Sequence, residues 1–354
     1  MNAHPFRIPP AVTDASAWRA AELEADQSWI VELTPAEAAE VADAARAVAA
    51  RGLRGGQFGK ADFPLPTFSV RLAAVLEELQ HGRGITLLRG LPVDPQDEEM
   101  AARIIWGVGT YLGRALQQSA GVNLGGFPGN CISHIIDQRK DPNDRTVHGS
   151  ATGAEQQPHC DPSDLVALLC IRPAVGGGGV SRVVSAMAVY NDLRERAPEL
   201  IETLFTGYFH DLRKDGANGL SVTPRRVPVY GYEDGQLSVS FNSRTIVLAA
   251  EREGYALSEL EQRALDEMSA TASRSDLVHE MTMRSGDLQL LNNYTMLHSR
   301  TAWRDPDDVR QRRCMLRLWL RTLAPRPLPE GFASGYLAGV TYDVGRQAEA
   351  LATS

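Results

Sequence analysis

The amino-acid sequence predicts a mainly β fold, an antiparallel barrel or jelly roll to which helices have been added. Several short apolar runs are separated by hairpin-type turns, as expected for strands of antiparallel sheets. Helical patterns are interspersed among these runs without strict alternation, which argues against a parallel sheet. No linker-like stretch divides the 354 residues, so we expect a single domain over residues 1–354.

The N-terminal part, about residues 1–80, is predicted to be helical. Thr34 can cap a helix, Pro35 suits its first turn, and Glu37 completes a capping box. Gly52 is a typical residue at which such a helix ends. Periodic apolar residues predict two further helices, at residues 67–82 and 97–116. One buried strand is predicted between them, at residues 84–92.

The core is predicted over about residues 81–322, with a C-terminal tail at 323–354. Apolar runs bounded by turn residues indicate its strands, and Asp234-Gly235 supplies a hairpin turn. Single strands or hairpins are placed at residues 164–173, 181–187, 227–241, 279–293 and 312–322. Two more helices are predicted at residues 188–205 and 258–273.

An irregular, polar segment covers residues 121–157 and contains several turn dipeptides. A connection of this length inside a compact domain is usually functional, so a lid or a binding loop is expected. A disordered excursion is the alternative. His134 and His148 lie in this segment, and His148 is a candidate substrate contact, although a surface position would also explain either histidine.

Composition and charge exclude several classes of function. A formal net charge of −8 argues against binding nucleic acid, which requires a basic face. The four cysteines have no metal-type or disulfide-type spacing, so reduced thiols in a cytoplasmic protein are expected. The sequence shows neither an apolar leader nor a membrane-spanning apolar run. We therefore expect a small-molecule partner and no nucleic acid or membrane; a homo-oligomer is compatible with the sequence.

A candidate metal site begins with His159 and Asp161, two positions apart where a polar loop meets an apolar run. On a strand these two residues would share one face. His298, which follows another apolar run, is the best candidate for a third ligand. Two histidines and one carboxylate are the ligand set of non-haem Fe(II) oxygenases, whereas zinc more often takes a fourth ligand. The His-x-Asp pattern alone is weak, because it occurs by chance in many chains.

Two arginines follow the third histidine. Arg313 lies fifteen residues after His298, and Arg317 four residues further on, so both would share a face of one strand. A buried guanidinium beside the metal can bind the far carboxylate of 2-oxoglutarate through paired hydrogen bonds. Alternation with Met315 and Trp319 favours a cavity wall. The alternative is an exposed strand face, with leucines packing on the other side.

Four motifs together resemble one known family. They are HCD at 159–161, GGVSRVVS at 178–185, GDLQLLNNYTMLHSRTAW at 286–303 and RRCMLRLWL at 312–320. In this order, over roughly residues 80–322, the chain resembles the taurine dioxygenase / 2,4-dichlorophenoxyacetate dioxygenase family of Fe(II)- and 2-oxoglutarate-dependent oxygenases. The resemblance implies a double-stranded β-helix (jelly-roll) core. It also implies Fe(II), 2-oxoglutarate as co-substrate, and O2.

The resemblance assigns roles by position. It makes His159, Asp161 and His298 the iron ligands and hence the catalytic centre. Arg313 matches the arginine that binds the distal carboxylate of 2-oxoglutarate. Ser181 stands where the family often has a threonine that helps to bind the same carboxylate, and it keeps the hydroxyl. Arg317 matches a second arginine that, in some members, contacts an anionic group of the substrate.

Three further positions refine this interpretation. Cys160 replaces the threonine that is common between the first two ligands, and we expect it on the opposite face as a small core residue. Asp161 is present where related halogenases have lost the carboxylate, which favours oxygen chemistry. Asn292 and Asn293 end a strand near the metal. Asn293 is a candidate substrate contact, with capping of the turn as the alternative.

The sequence therefore predicts an Fe(II)- and 2-oxoglutarate-dependent dioxygenase that releases succinate and CO2. The expected reaction is oxidation, in the first place hydroxylation, of an unactivated C–H bond. Arg317 and the long segment 121–157 indicate a small anionic or amino-acid-like natural-product substrate. The alternatives from other classes are a zinc hydrolase or lyase on the same scaffold and a non-catalytic metal-binding sensor.

Overall fold

The structure is a computed structural model that describes residues 6–118, 123–212 and 220–332. Within these ranges the chain forms eight α-helices: α1 (Ala20–Ala25), α2 (Pro35–Ala50), α3 (Phe68–His81), α4 (Glu98–Leu112), α5 (Ala186–Arg196), α6 (Ile201–Thr206), α7 (Ser243–Glu253) and α8 (Glu259–Thr271). The same ranges contain thirteen strands: β1 (Ile30–Glu32), β2 (Ile85–Arg89), β3 (Arg114–Ala115), β4 (Ile132–Ile135), β5 (Gln156–His159), β6 (Leu165–Arg172), β7 (Ser181–Ser185), β8 (Tyr230–Glu233), β9 (Gln236–Val239), β10 (Val278–Met281), β11 (Leu288–Asn292), β12 (Met296–Arg300) and β13 (Cys314–Arg321). The predicted tail lies outside the described residues from position 333 onwards.

Two sheets form the centre of the molecule. The larger sheet has the order β1-β2-β11-β6-β13-β3, with β4 also paired to β13, and the smaller sheet has the order β10-β7-β12-β5. The pairs around the centre of both sheets are antiparallel, whereas β1 pairs β2 in parallel. One apolar cluster contains Val166 and Leu291 of the larger sheet together with Val183 and Met296 of the smaller one. The two sheets therefore share a core, which confirms the predicted jelly roll.

Strand β6 shows how a continuous apolar run becomes a central strand. Val166 and Cys170 point into the space between the sheets and join the shared cluster. Leu165 and Leu169 lie on the opposite face and pack with residues of α2, α3 and α4. A strand that is buried on both faces does not show hydrophobic alternation. Its burial on both sides places β6 in the middle of the larger sheet.

Helices cover the outer faces of both sheets. Helices α2, α3 and α4 pack on the larger sheet, and α5, α6, α7 and α8 pack on the smaller one. The predicted start of α2 is confirmed, because Glu37 N–H donates to Thr34 Oγ1 at 3.2 Å and Thr34 N–H donates to Glu37 Oε2 at 2.8 Å. Among the residues that the structure describes, none of the helices combines the length and the apolar composition that a membrane crossing requires.

Several elements differ from the sequence prediction. Strand β4 and the beginning of β5 lie in the segment 121–157, which the sequence predicts to be irregular. Strands β1 and β3 lie in stretches predicted to be helical, and α7 and β12 are not predicted at all. The predicted helix at 188–205 is divided into α5 and α6 by a 3-10 turn that begins at Pro198. The missed strands are ordered by partners that are distant in sequence, since β4 pairs β13 and β5 pairs β12. Local patterns do not contain this information.

Glu98, the first residue of α4, connects this helix to the larger sheet. Its carboxylate accepts hydrogen bonds from His134 Nε2 at 3.2 Å and from Arg172 Nη2 at 2.6 Å. These partners outweigh partial burial and lower the pKa of Glu98 to about 2. A carboxyl with a depressed pKa stabilises the fold above its unfolded-state pKa, and this contribution is lost as the pH falls through the folded-state pKa.

Replacing Glu98 with glutamine should lower the free energy of unfolding by about 1–2 kcal/mol at neutral pH, after allowance for solvent screening. The side chain is 36% exposed, which limits the effect. The difference from the wild type should persist down to about pH 4.5 and shrink as the pH approaches 2. Urea unfolding across this range measures it, with the exposed Glu77→Gln as the control. A difference that stays constant with pH would contradict the depressed pKa.

Candidate active site

His159, Asp161 and His298 come together between the two sheets. His159 is the last residue of β5, and His298 lies in the middle of β12. These strands are neighbours in the smaller sheet, and their register pairs the two histidines directly, with ring centroids 4.4 Å apart. His298 Nε2 lies 3.7 Å from Asp161 Oδ2, and ligand atoms of all three residues lie within 4.8 Å of one another. Pairing of β5 with β12 thus brings the two histidines together, and Asp161 after the end of β5 completes the three predicted ligands, here called the triad.

His159 and Asp161 do not share one face of a strand, in contrast to the prediction. β5 ends at His159, and Asp161 lies in the loop before β6. Asn293 holds this loop, because its Oδ1 accepts from the Asp161 backbone N–H at 3.1 Å and its Nδ2 donates to Ser163 Oγ at 2.9 Å. Asn293 therefore fixes the position of Asp161 and does not line the cavity beside the triad.

The protonation states of the triad suit a divalent metal. His159 Nδ1 donates to the Gln157 carbonyl at 2.8 Å, which leaves the lone pair of Nε2 for a metal. Burial lowers the pKa of His159, and it lowers the pKa of His298 to about 3, so both imidazoles are neutral. Burial opposes ionisation of Asp161, but the charge of Arg317 holds the pKa of this carboxyl below its usual range. Two neutral imidazoles and a carboxylate fit Fe(II).

A second cluster of potential metal ligands consists of Glu98, His134 and Cys314. Leu124 N–H donates to His134 Nδ1 at 3.3 Å, so His134 Nε2 carries the proton that it donates to Glu98. Arg172 supplies the positive charge beside Glu98, and burial raises the pKa of the Cys314 thiol to about 12. Glu98 already pairs with His134 and Arg172, and Cys314 remains a protonated thiol, which makes the triad the better metal site.

A cavity of about 350 Å³ lies beside the triad, within the size range of small-molecule sites. Its wall contains most of the predicted site residues: His148, His159, Asp161, Ser181, His298, Arg313 and Arg317. The alternation predicted near the C-terminal strand is also confirmed, because the inward side chains all line the cavity: Arg313, Met315, Arg317 and Trp319. Leu316 and Leu318 point the other way and pack against the helices on the larger sheet.

Arg313 places an unpaired positive charge in the cavity wall. Its side chain is nearly buried, at 5% exposure, and burial lowers its pKa. Asp305 accepts a hydrogen bond from the Arg313 backbone N–H, and Nη1 of the guanidinium has no partner among the described residues. The Trp303 ring covers the guanidinium at 4.7 Å. A buried guanidinium with no salt bridge among the described residues is costly unless an anion binds to it.

Ser181, the first residue of β7, faces the cavity close to Arg313. Gly179 packs so tightly against this arginine that an added Cβ would lie 2.8 Å from Nε. The Ser181 hydroxyl lies 2.6 Å from Oε1 of Gln289, a fully buried residue of β11. A hydroxyl and a guanidinium that flank the same space can bind one carboxylate together.

Arg317 contacts the triad directly. Nη1 donates to both oxygens of Asp161, at 3.2 and 3.3 Å. Nε donates to Gln118 Oε1 at 2.9 Å, and Gln118 Nε2 donates back to the Arg317 carbonyl at 3.0 Å. Gln118 is fully buried, so it fixes the guanidinium between the carboxylate of the triad and the open cavity.

The segment predicted as a lid or binding loop forms one wall of the cavity in its described part, residues 123–157. His148 and Glu155 line the cavity. Arg244, at the start of α7, donates to the carbonyls of residues 142, 144 and 147. Arg300 of β12 donates to the carbonyls of residues 149, 152 and 154. These hydrogen bonds attach the described part of the segment to the core. They favour the binding loop over the alternative of a disordered excursion.

Three residues that support the site are not predicted from the sequence: Gln118, Gln289 and Arg244. Gln289 interrupts the apolar run of β11, LQLLN. A polar residue inside a buried strand needs a hydrogen-bond partner, and this signal would have singled it out. Gln118 and Arg244 act on partners that are distant in sequence, which no local pattern reveals.

Comparison with protein families gives a match over most of the chain. The sequence model of a family described as "Taurine catabolism dioxygenase TauD, TfdA family" matches residues 21–319. FR-33289 synthase of Streptomyces rubellomurinus is 31% identical over 327 residues, which cover 91% of this chain and 94% of that protein. The taurine hydroxylase-like protein SAT17 of Stachybotrys chartarum is 26% identical over 324 residues, which cover 87% and 79%, respectively.

Similar solved structures include non-haem iron oxygenases. An asparagine oxygenase in complex with Fe(II), 2S,3S-3-hydroxyasparagine and succinate has a TM-score of 0.64 at 17% identity, covering 82% of this chain and 93% of that chain. The oxygenase OrfP in complex with Fe and alpha-ketoglutaric acid has a TM-score of 0.60 at 17% identity, covering 90% and 96%, respectively. At this level of identity the likeness shows a shared fold, in agreement with the jelly-roll core.

Proposed function

Because the chain belongs to the taurine catabolism dioxygenase TauD, TfdA family, we propose that it hydroxylates an unactivated C–H bond of a small anionic or amino-acid-like molecule. As a member of this family the protein is an Fe(II)- and 2-oxoglutarate-dependent dioxygenase that uses O2. The observation that carries the proposal is the unpaired Arg313 in the wall of the cavity that contains the triad. A metal triad and a separate buried cation suit a chelating ligand with a second anionic end, as 2-oxoglutarate has.

His159, Asp161 and His298 would hold the iron. Bound together, Fe(II) and 2-oxoglutarate activate O2 for the oxidation of a substrate C–H bond, with release of succinate and CO2. The chain contributes orientation: a backbone carbonyl keeps His159 in the metal-binding tautomer, and Arg317 and Asn293 hold Asp161 in place. Hydrogen bonds of this kind to metal ligands strengthen metal binding and fix the ligand geometry.

Arg313 and Ser181 would bind the far carboxylate of 2-oxoglutarate. The carboxylate would give Arg313 Nη1 the partner that it lacks among the described residues. Trp303 and Met315 lie against the guanidinium and exclude water from it. Exclusion of water strengthens an ion pair, because the local dielectric constant is low. These contacts would orient the co-substrate with its 2-oxo end toward the triad.

The charges of the cavity wall support an amino-acid-like substrate. Arg317 lines the cavity and offers a cation to a carboxylate or sulfonate. Asp211 and Glu155 also line the cavity and add negative charge to its wall, where Arg252 donates to Asp211 at 2.6 Å and Arg182 donates to Glu155 at 2.8 Å. Side chains of both signs in one cavity suit a molecule that itself carries both charges. Two solved structures of similar fold contain 2S,3S-3-hydroxyasparagine and (3S)-hydroxy-L-Arg, respectively. We therefore propose a zwitterionic small molecule of the natural-product or modified amino-acid type.

An anaerobic titration followed by a turnover screen tests this proposal. Fe(II) and then 2-oxoglutarate are added to metal-free protein, and we expect the visible charge-transfer band of a metal-chelated 2-oxo acid. In air, 2-oxoglutarate consumption is then measured with amino acids, their derivatives and sulfonate analogues. We expect a zwitterionic compound to accelerate consumption and to gain one oxygen atom. Absence of the band from folded, iron-loaded protein would contradict the dioxygenase site, and acceleration only by uncharged compounds would contradict the substrate class.

Arg317→Met should raise the KM for the primary substrate by about 10- to 100-fold, because a charged hydrogen bond is lost. Affinity for 2-oxoglutarate should change little, since its far carboxylate is assigned to other residues. Metal affinity should fall as well, because Arg317 also orients Asp161. Steady-state kinetics and metal titration separate these effects, with the exposed Arg310→Met as a matched control. Loss of metal affinity with an unchanged substrate KM would show that Arg317 orients Asp161 and does not bind the substrate.

A further inference from the structure

One buried hydrogen bond joins the two sheets beside the proposed 2-oxoglutarate site. Ser181 lies in the smaller sheet and lines the cavity, whereas Gln289 lies in the larger sheet and is fully buried. Ser181 Oγ and Gln289 Oε1 are 2.6 Å apart. The amide nitrogen of Gln289 is buried and has no hydrogen-bond partner among the described residues. An unpartnered buried donor at this position requires an explanation.

The direction of this hydrogen bond decides what Ser181 can bind. When its hydroxyl donates to Gln289 Oε1, Ser181 presents only lone pairs to the cavity, and these repel a carboxylate. A glutamine amide turned by 180° occupies the same space with nitrogen and oxygen exchanged. In that orientation Gln289 Nε2 donates to Ser181 Oγ, and the hydroxyl proton becomes free to point into the cavity. The turned amide gives Gln289 Nε2 a partner, and the amide oxygen takes the position that has no partner among the described residues.

We propose that Gln289 is a positioning residue for 2-oxoglutarate, which it orients by donating to Ser181 so that the hydroxyl donates to the far carboxylate. The carboxylate then receives one hydrogen bond from Ser181 and the paired hydrogen bonds of Arg313. Close packing of Gly179 on Arg313 places the two donors side by side. This inference rests on the proposed function, because it concerns the same ligand. It adds a residue that does not line the cavity and acts only through Ser181.

The competing explanation is that the hydrogen bond merely ties the two sheets together. In that case the loss of Gln289 would lower stability without an effect on one particular end of the ligand. The far carboxylate offers a way to separate the two explanations. 2-Oxopentanoate has the same chelating end and chain length as 2-oxoglutarate but lacks this carboxylate. Only the positioning role predicts that a Gln289 variant distinguishes these two ligands.

The test measures the affinity of the full chain for both 2-oxo acids under anaerobic conditions. Binding to the Fe(II)-loaded protein is monitored through the charge-transfer band, and binding to the Mn(II)-loaded protein is measured by calorimetry. We expect Gln289→Leu to weaken 2-oxoglutarate about 10-fold, as for the loss of one charged hydrogen bond. Gln289→Glu, whose carboxylate can only accept from Ser181, should weaken it at least as much. Affinity for 2-oxopentanoate should be unchanged in both variants. In a Ser181→Ala background, Gln289→Leu should cause no further loss.

Three results would overturn the inference. Equal 2-oxoglutarate affinity in wild type and Gln289→Leu would show that the hydrogen bond only connects the two sheets. A lower melting temperature of Gln289→Leu would support this structural role. Equal weakening of both ligands would show a general distortion of the site. A full effect of Gln289→Leu in the Ser181→Ala background would show that Gln289 does not act through the hydroxyl. If the wild type binds neither 2-oxo acid, the proposed function itself fails, which is a distinguishable outcome.

Discussion

Replacing Arg313 with methionine should abolish useful 2-oxoglutarate binding and at the same time make the ligand-free protein more stable. Removing one partner of a buried charge pair costs about 3–5 kcal/mol, so we expect an affinity loss of about 100- to 4,000-fold. In the ligand-free protein the guanidinium is buried, and its Nη1 has no partner among the described residues. Methionine is an apolar side chain of similar length and carries no charge that must be buried. We therefore expect the free energy of unfolding to rise by about 1–2 kcal/mol.

The two effects of Arg313→Met are measured separately. Anaerobic titration gives the affinity for 2-oxoglutarate, and urea unfolding of metal-free protein gives the stability. Arg310→Met is the matched control, because Arg310 is exposed on the same connection between β12 and β13. It should change neither quantity. Retained 2-oxoglutarate affinity in Arg313→Met would contradict the assignment, and a large loss of stability would show that the guanidinium already has a compensating partner.

Replacing Asp161 with alanine should have the opposite effect on stability and should remove the metal site. One of three ligands is lost, so we expect metal affinity to fall by at least about 100-fold, more than for loss of a supporting residue. The same change leaves Arg317 without the carboxylate that it contacts at 3.2 Å. An unpaired cation at the edge of the core should lower the free energy of unfolding by about 2–3 kcal/mol.

Binding of Fe(II) or Co(II) under anaerobic conditions and thermal unfolding of metal-free protein measure both effects of Asp161→Ala. His81→Ala is the control, because His81 is an exposed histidine at the end of α3. Removal of both Asp161 and Arg317 should recover part of the lost stability, because no unpaired charge then remains. Unchanged metal affinity in Asp161→Ala would show that Asp161 is not a metal ligand. The cluster of Glu98, His134 and Cys314 would then be the better candidate for the metal site.

Short-range signals were enough for several elements of the fold. The capping box at Thr34 and Glu37 and the Asp234-Gly235 hairpin turn both appear where the sequence predicts them. Asp234 and Gly235 have φ values of 47° and 78°, which the tight hairpin turn requires. Such features depend on residues at most four positions apart, so the sequence contains all the interactions that define them.

The motifs were also enough to identify the family and its chemistry. The His-x-Asp motif, His298 and the arginines after it occur in one order, and the family match covers residues 21–319. A metal site and a buried cation need particular side-chain types, and these types are visible in the sequence. The strand boundaries around Asp161 were predicted wrongly, because β5 is a short strand whose order comes from pairing with β12.

The support of the site was decided by the tertiary structure alone. Arg317 meets Asp161 across 156 positions of the chain, and Gln118 meets Arg317 across 199. The hydrogen bond between Ser181 and Gln289 joins one sheet to the other. Hydrogen bonds between distant residues leave no periodic trace in a sequence, because strand register and sheet packing determine which polar groups meet. The residue types thus specify the chemistry, and the packing of the two sheets specifies the polar side chains that hold those residues in place.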